Sequence, residues 1–247
     1  MCGRMTLTRS PGEIAAFFDF LDGGASAEAA LAGPDGRPWR PRYNIAPSQP
    51  VLTVLRGEAA PRAFAWKIWG LVPAWAKDPS MGGKLFNARS ETVAEKPSFR
   101  SAFKRRRCLV VADGFYEWTP RNRGHRAHWL HPRAGALLAF AGLHEQWADE
   151  RGPGIESCTV LTTDANRDLA GIHARMPVIL PPGSWSAWLD PTSERDALQA
   201  LLLPAPDGTL ETRVVSSHVN DPRHDDPGCL EALVSNGDFR LDGGSAR

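Results

Sequence analysis

Cys108-Leu109-Val110-Val111-Ala112, closed by Asp113-Gly114, is an unbroken apolar run with the length and composition of a buried strand. Runs of the same kind recur at Val51 to Leu55, Ala63 to Gly70, Leu137 to Gly142, Cys158 to Thr162, Val178 to Leu180 and Arg213 to Val219, each bounded by Pro, Gly or Asp. Helical signals are fewer and shorter. Ser10-Pro11-Gly12-Glu13 reads as a capping box with proline in the first turn, ahead of Ile14, Phe17, Phe18 and Leu21 at helical spacing. Further short helices are expected around Ser98 to Arg106, Asp164 to Gly171, Gly183 to Leu189 and Thr192 to Leu203. Strands that do not alternate with long helices argue for a mixed α+β fold, one domain with a curled, β-barrel-like sheet and short peripheral helices, rather than a doubly wound sheet. That domain is expected to span residues 1–235, with 22–36 as a surface-loop insertion and 236–247 as a disordered tail.

The bulk numbers fit an ordinary globular chain. Its 247 residues are 42% hydrophobic, and no stretch approaches the roughly 18 uninterrupted apolar residues of a membrane span. A start without an apolar h-region places the protein in the cytosol, near the nucleoid, or in the nucleus of a eukaryote. The net charge of +1 hides an asymmetry: residues 1–133 carry an excess of basic groups and the remainder an excess of acidic ones. If the fold gathers the basic half on one face, nucleic acid is the leading partner class; if the halves pair with each other, the asymmetry is silent. Monomer is the default oligomeric state.

Cys2, Cys108, Cys158 and Cys229 are far apart, without the paired spacing of zinc or redox sites. Cys108 and Cys158 open apolar runs and read as core thiols. His125, His128 and His131 recur every third residue, but no carboxylate or cysteine joins them at a ligand-like interval, so neither metal nor cofactor is expected. Cys2 is different. Removal of Met1 would leave an α-amine and a thiol, with unperturbed pKa values of about 8 and 8.5, on neighbouring carbons. An aldehyde can react with both groups, first as an imine and then as a five-membered thiazolidine. An internal cysteine lacks the amine and cannot.

Other segments could serve such chemistry. Phe86-Asn87-Ala88-Arg89-Ser90-Glu91 sets an amide and a guanidinium two residues apart, suited to a sugar and a phosphate or to an ordinary strand exit. Gly114-Phe115-Tyr116-Glu117-Trp118 places a carboxylate among aromatic rings, where partial burial would raise its pKa and suit it to proton transfer. Gly171-Ile172-His173-Ala174-Arg175-Met176-Pro177 adds an imidazole and a guanidinium. Trp69 and Trp75 flank a proline-interrupted segment that can leave rings exposed for base stacking. Basic clusters at Lys104 to Arg107 and Arg121 to Arg126 could line a backbone groove or be solvated faces.

Taken together, Met1-Cys2-Gly3-Arg4, Arg42-Tyr43-Asn44-Ile45-Ala46-Pro47, Trp69 to Trp75, Asn87 to Glu91, Arg106 to Val110, Gly114 to Trp118 and His173 to Pro177 resemble the SOS-response-associated peptidase (SRAP) family of abasic-site-processing proteins, in the family's order. The resemblance implies a β-barrel-like core beside a positive channel for single-stranded DNA, with the processed N-terminus at its centre. By motif it implies Cys2 as the nucleophile that crosslinks to an abasic site, Asn87 as a sugar-positioning residue, Glu117 as general acid/base and His173 as a proton shuttle. It further implies phosphate contacts from Arg4, Arg89 and Arg175, and shaping of the strand by Pro47, Trp69 and Trp75. Ala174 stands where the family usually has an acidic residue, and Val111 where it commonly has proline. Two rival readings use the same residues: a cysteine peptidase of the N-terminal-nucleophile type, processing perhaps only itself, and a noncovalent single-strand-binding module.

Overall fold

A computed structural model describes residues 2–20, 27–57, 62–120, 122, 125–133, 135–149 and 152–233. The expected tail at 236–247 lies outside the described residues, as does part of the 22–36 loop; its described part includes the short helix Ala27–Ala30. The strands in chain order are β1 (Met5–Leu7), β2 (Arg42–Ile45), β3 (Pro50–Arg56), β4 (Arg62–Trp69), β5 (Asn87–Arg89), β6 (Arg107–Ala112), β7 (Gly114–Trp118), β8 (Ala127–Pro132), β9 (Leu138–Asp149), β10 (Gly152–Asp164), β11 (Arg175–Pro177) and β12 (Leu210–Val214). They form two sheets. One is five-stranded in the order β12-β8-β7-β1-β2; the other runs β11-β10-β4-β3-β6-β9, and a further β9–β10 pairing closes it into a barrel. Its pairs are antiparallel except β10 with β4 and β5, which are parallel. The α+β class and barrel-like core expected from the sequence are what the chain forms.

The run Cys108 to Ala112 lies in the middle of this closure. All its residues are buried, because β6 is paired on both sides, by β3 through Val54↔Leu109 and by β9 along its whole length. Gly142 on β9 permits that closeness: a Cβ there would lie 2.8 Å from the Cys108 sulfur and 2.9 Å from Val110. The helices plug and cover the barrel. α1 (Pro11–Phe17) starts at the expected capping box, where Glu13 accepts from the Ser10 N–H at 2.9 Å. α3 (Arg100–Arg105) and α5 (Arg195–Ala200) lie inside their expected ranges, and Gly183 to Leu189 becomes a 3-10 turn followed by α4 (Trp185–Leu189). The fully buried Trp185 and Trp188 of α4 send their indole N–H groups to Leu180 O and Cys108 O, both at 2.9 Å.

Several expectations are corrected. Asp164 to Gly171 is no helix but the end of β10 and a 3-10 turn, Arg167–Leu169, because Asn166 caps that turn with its side chain. Val178 to Leu180 joins the barrel through the isolated bridge Phe140↔Ile179 and backbone bonds to Leu161, Ala141 and Ala139, and the strand precedes it as β11. The last strand ends at Val214, and Ser217–Asn220 folds as a 3-10 turn capped by Ser216.

Part of the charge asymmetry is consumed by pairing between the halves. Arg42 bonds to Asp225, Arg56 to Asp190, Lys67 to Glu156, Arg106 to Glu145 and Arg133 to Glu211. In the cluster Lys104 to Arg107, Arg107 is buried and donates to the carbonyls of Trp188 at 2.6 Å and Phe103 at 2.7 Å. Neither Arg106 nor Arg107 is therefore a free cation on a groove wall.

Candidate active site at Cys2

Cys2 sits where the two sheets meet. It precedes β1, which is held between β2 and β7 with Met5 opposite both Ile45 and Phe115. The Tyr116 N–H donating to Arg4 O at 3.0 Å and the Asp113 N–H donating to Thr6 O at 3.0 Å fix the register of the chain start against β7. Cys2 itself is fully buried, and its sulfur contacts Arg4 O at 3.9 Å. Burial, reinforced by the negative charge of Glu117, pushes the thiol far above its ordinary range, so it is held protonated.

Three elements bring the remaining residues to it. Asn87 opens β5, which pairs in parallel with β10 through Val160↔Asn87, and its amide donates to Cys2 O at 2.6 Å. The Asn87 Oδ1 is buried and accepts no hydrogen bond among the described residues. Glu117 comes from β7, 3% exposed in a wall of apolar side chains, and burial pushes its carboxyl up to about 7. His173 comes from the turn before β11, and its Nδ1 lies 4.0 Å from Glu117 Oε1, adjacent but too far for a hydrogen bond. That Nδ1 lies 2.9 Å from the Arg175 N–H and 3.1 Å from the Arg175 carbonyl, so the Arg175 backbone orients the ring in either tautomer. Burial lowers the His173 pKa and keeps the ring neutral. A cleft of about 890 Å³, walled in part by Pro120, Asn166, Ile172 and Ala174, opens beside His173.

The other residues singled out in the sequence divide. Arg4 reaches Asn44 Oδ1 at 2.8 Å and Val219 O at 2.7 Å and lies 5.8 Å over the Trp118 ring, so neutral groups hold its charge near the chain start. Arg89 is exposed and makes no side-chain hydrogen bond or ion pair among the described residues. Pro47 is half-buried, and Trp75 is 59% exposed with its ring face available. Trp69 is a correction: it is fully buried and donates to Phe86 O at 2.8 Å, so it cannot stack on a base. Its ring instead anchors the residue immediately before Asn87. Arg175 is also spent, on Glu91 at 2.6 and 3.0 Å and Asp164 at 2.8 Å, so a phosphate would have to displace two carboxylates.

Asn44 and Trp118 received no role from the sequence, although both lie in quoted motifs. Asn44 is buried; its amide donates to the carbonyls of Val219, Asp221 and His224 while its oxygen holds Arg4. Trp118 donates to Asn220 Oδ1 at 2.8 Å. A buried asparagine that saturates a distant loop leaves no local pattern in sequence, so neither role could be read there.

Several known proteins are similar to this chain over most of its length. The chain is 39% identical over 234 residues to the abasic site processing protein YoaM of Bacillus subtilis, covering 94% of this chain and 98% of that one. It is 32% identical over 266 residues to the abasic site processing protein HMCES of Xenopus tropicalis, covering 95% and 79%. A crystal structure of a Bacteroides thetaiotaomicron protein superposes with a TM-score of 0.81 at 22% identity, covering 94% of this chain and 100% of that one, and shares the fold. A Bordetella bronchiseptica protein does so at 0.71 and 26% identity, covering 87% and 100%. The model of the SOS response associated peptidase (SRAP) family matches residues 1–222, and the chain belongs to that family.

Proposed function

We propose that this protein processes abasic sites in single-stranded DNA and shields them by forming a covalent thiazolidine through Cys2 after removal of Met1. The observation that carries the reading is the convergence of Asn87, Glu117 and His173 on Cys2 from three separate elements, with Asn87 2.6 Å from the Cys2 carbonyl. The relatives' shared name, abasic site processing protein, supports the substrate class.

An abasic deoxyribose is mostly a closed hemiacetal. A carboxyl with a pKa of about 7 is ready both to give and to take a proton near neutrality, so Glu117 suits the opening of that ring. In this reading His173 shuttles a proton to or from the sugar hydroxyl, and Asn87 positions the opened sugar. The Cys2 amine then attacks the aldehyde carbon, and loss of water gives an imine. The sulfur adds to the imine carbon and its proton passes to the nitrogen, closing the ring without breaking the strand. A thiol held protonated by burial suits this order, with the amine first and the sulfur second.

The peptidase reading would use the same Cys2 thiol, with the freed α-amine as its base. The single-strand-binding reading leaves the convergence on Cys2 unused. Incubating purified protein with single-stranded DNA carrying one abasic site, followed by a denaturing gel, separates the three readings. A shifted band stable to heating supports the crosslink; peptide cleavage without it supports the peptidase; a shift on a native gel alone supports the binding module. In Cys2→Ala, which keeps a free amine, the imine is expected to proceed to strand cleavage. A Cys2→Ala adduct as heat-stable as wild type sinks the thiazolidine.

A further inference from the structure

The 3-10 turns Ser217–Asn220 and Pro227–Leu230 bring His218, Asp226 and Cys229 together away from the site just described. We propose that these residues form a site for a zinc-class divalent cation, bound through His218 Nε2, an Asp226 carboxylate oxygen and the Cys229 sulfur. The three ligand atoms lie within 4.8 Å of one another, and His218 Nε2 is 3.0 Å from Asp226 Oδ2. Tetrahedral zinc, with bonds of roughly 2.0–2.3 Å, sets its ligand atoms about 3.4–3.7 Å apart, so closing the site takes sub-ångström shifts of side chains.

The surroundings suit such an ion. Asp226 and Cys229 stand three residues apart on one turn, the interval at which paired zinc ligands are presented, and the Cys229 N–H donates to Asp226 O at 3.1 Å. One nitrogen, one oxygen and one sulfur form the borderline donor set that zinc accepts and magnesium or calcium does not. A carboxylate and a thiolate would balance the dication. His224 stacks on His218 with ring centroids 3.8 Å apart and planes 8° from parallel, and its Nδ1 lies 2.8 Å from His218 O. Parallel rings aim their lone pairs in parallel, so His224 backs the ligand ring and the fourth position falls to water beside the exposed Asp226. Without an ion, His218 and Asp226 form an ion pair and the Cys229 thiol donates to His224 O at 3.5 Å from a cluster that includes Val215 and Val219; binding would exchange that thiol contact for a bond to the metal.

On binding, the metal takes the sulfur lone pair and the thiol proton leaves to solvent, while His218 binds as a neutral ring with its proton on Nδ1. The two turns would then be cross-tied at the segment whose Val219 carbonyl holds Arg4.

The test uses the full-length Cys2→Ala protein, because a free amine and thiol at Cys2 would themselves chelate. Titration with Co²⁺ under reducing, oxygen-free conditions is expected to give one equivalent of binding, a sulfur-to-cobalt charge-transfer band, displacement by Zn²⁺ and release of a proton. Adding Cys229→Ser removes the band. His218→Gln, which leaves every remaining thiol in place, weakens Co²⁺ binding by more than the roughly 100-fold upper limit that loss of an outer partner costs, and it keeps the test decisive if the serine variant fails to fold. Absence of the band in the Cys2→Ala protein, its persistence after Cys229→Ser, or unaltered affinity in His218→Gln overturns the proposal.

Discussion

Replacing Glu117 with glutamine tests whether burial sets the proton affinity of this carboxyl, and the size of the effect follows from its position. A carboxyl held at about 7 in the folded chain, against an ordinary 4.5, binds its proton more tightly folded than unfolded. The stability linked to that proton is fully present below about pH 4.5 and is lost as the pH rises through 7. At ~1.4 kcal/mol for each tenfold change in proton affinity, ionising Glu117 costs the fold roughly 3 kcal/mol by pH 8. Glutamine keeps the shape and never ionises. The variant should match the wild type near pH 4.5, gain on it steadily up to pH 7, and stay ahead by up to that amount at pH 8. Urea denaturation of both proteins across this range measures the difference, and pH effects elsewhere in the chain cancel in it. Crosslinking to abasic DNA should fall by about 10²–10⁴-fold in the same variant, the usual worth of a positioned acid or base. A gap in stability that is flat with pH would refute the burial argument, whatever the activity did.

Trp69 and Trp75 should separate cleanly. Trp69→Ala leaves a large cavity and should cost about 3–5 kcal/mol in denaturant melts, whereas Trp75→Ala should leave the melt unchanged and weaken single-strand binding by about 1–3 kcal/mol in fluorescence anisotropy. Asn87→Ala should slow crosslinking about 10-fold or more by freeing the Cys2 carbonyl while costing about 1 kcal/mol of stability for the lost hydrogen bond; single-turnover gels and melts read the two effects apart. Arg89→Ala should reduce the slope of log affinity against log salt by about 0.7 for single-stranded DNA if its exposed charge meets a phosphate, and an unchanged slope removes it from the interface.

The sequence carried the long apolar strands well, because β3, β6 and the core of β10 are buried on both faces and need no partner to be recognised. It did not carry β1, β2, β5, β7 and β8. β1 and β5 are three residues each, too short for any alternation to show, and exist because neighbours pair with them. β7 contains Glu117 and β8 contains His128 and His131, polar residues at positions that only the second sheet explains. Trp69 was misread because prolines downstream of it signal interrupted pairing without telling which way a ring turns. It turns inward by strand alternation, with Lys67 and Trp69 buried and Ile68 between them exposed, and Gly70, at φ 138°, then passes Gly82 so closely that a Cβ would lie 2.5 Å from Gly82 O. Cys2, Asn87, Glu117 and His173 were each visible as residue types in motifs. Their meeting was not, since residues 85 or more apart in sequence are brought together by β5 on one sheet, β7 on the other and the turn before β11.

The way β1 is held also limits how the protein can be handled and how it can vary. With Met5 opposite Phe115 and Thr6 opposite Gly114, the three-residue strand acts as a ruler that sets Cys2 a fixed distance from Glu117. One residue inserted between Cys2 and Met5 would advance the chain start by about 3.3 Å and turn alternate side chains to the opposite face. If the Cys2 amine is the nucleophile, as proposed, a fusion partner or affinity tag placed ahead of it blocks the reaction, and such additions belong at the other end of the chain.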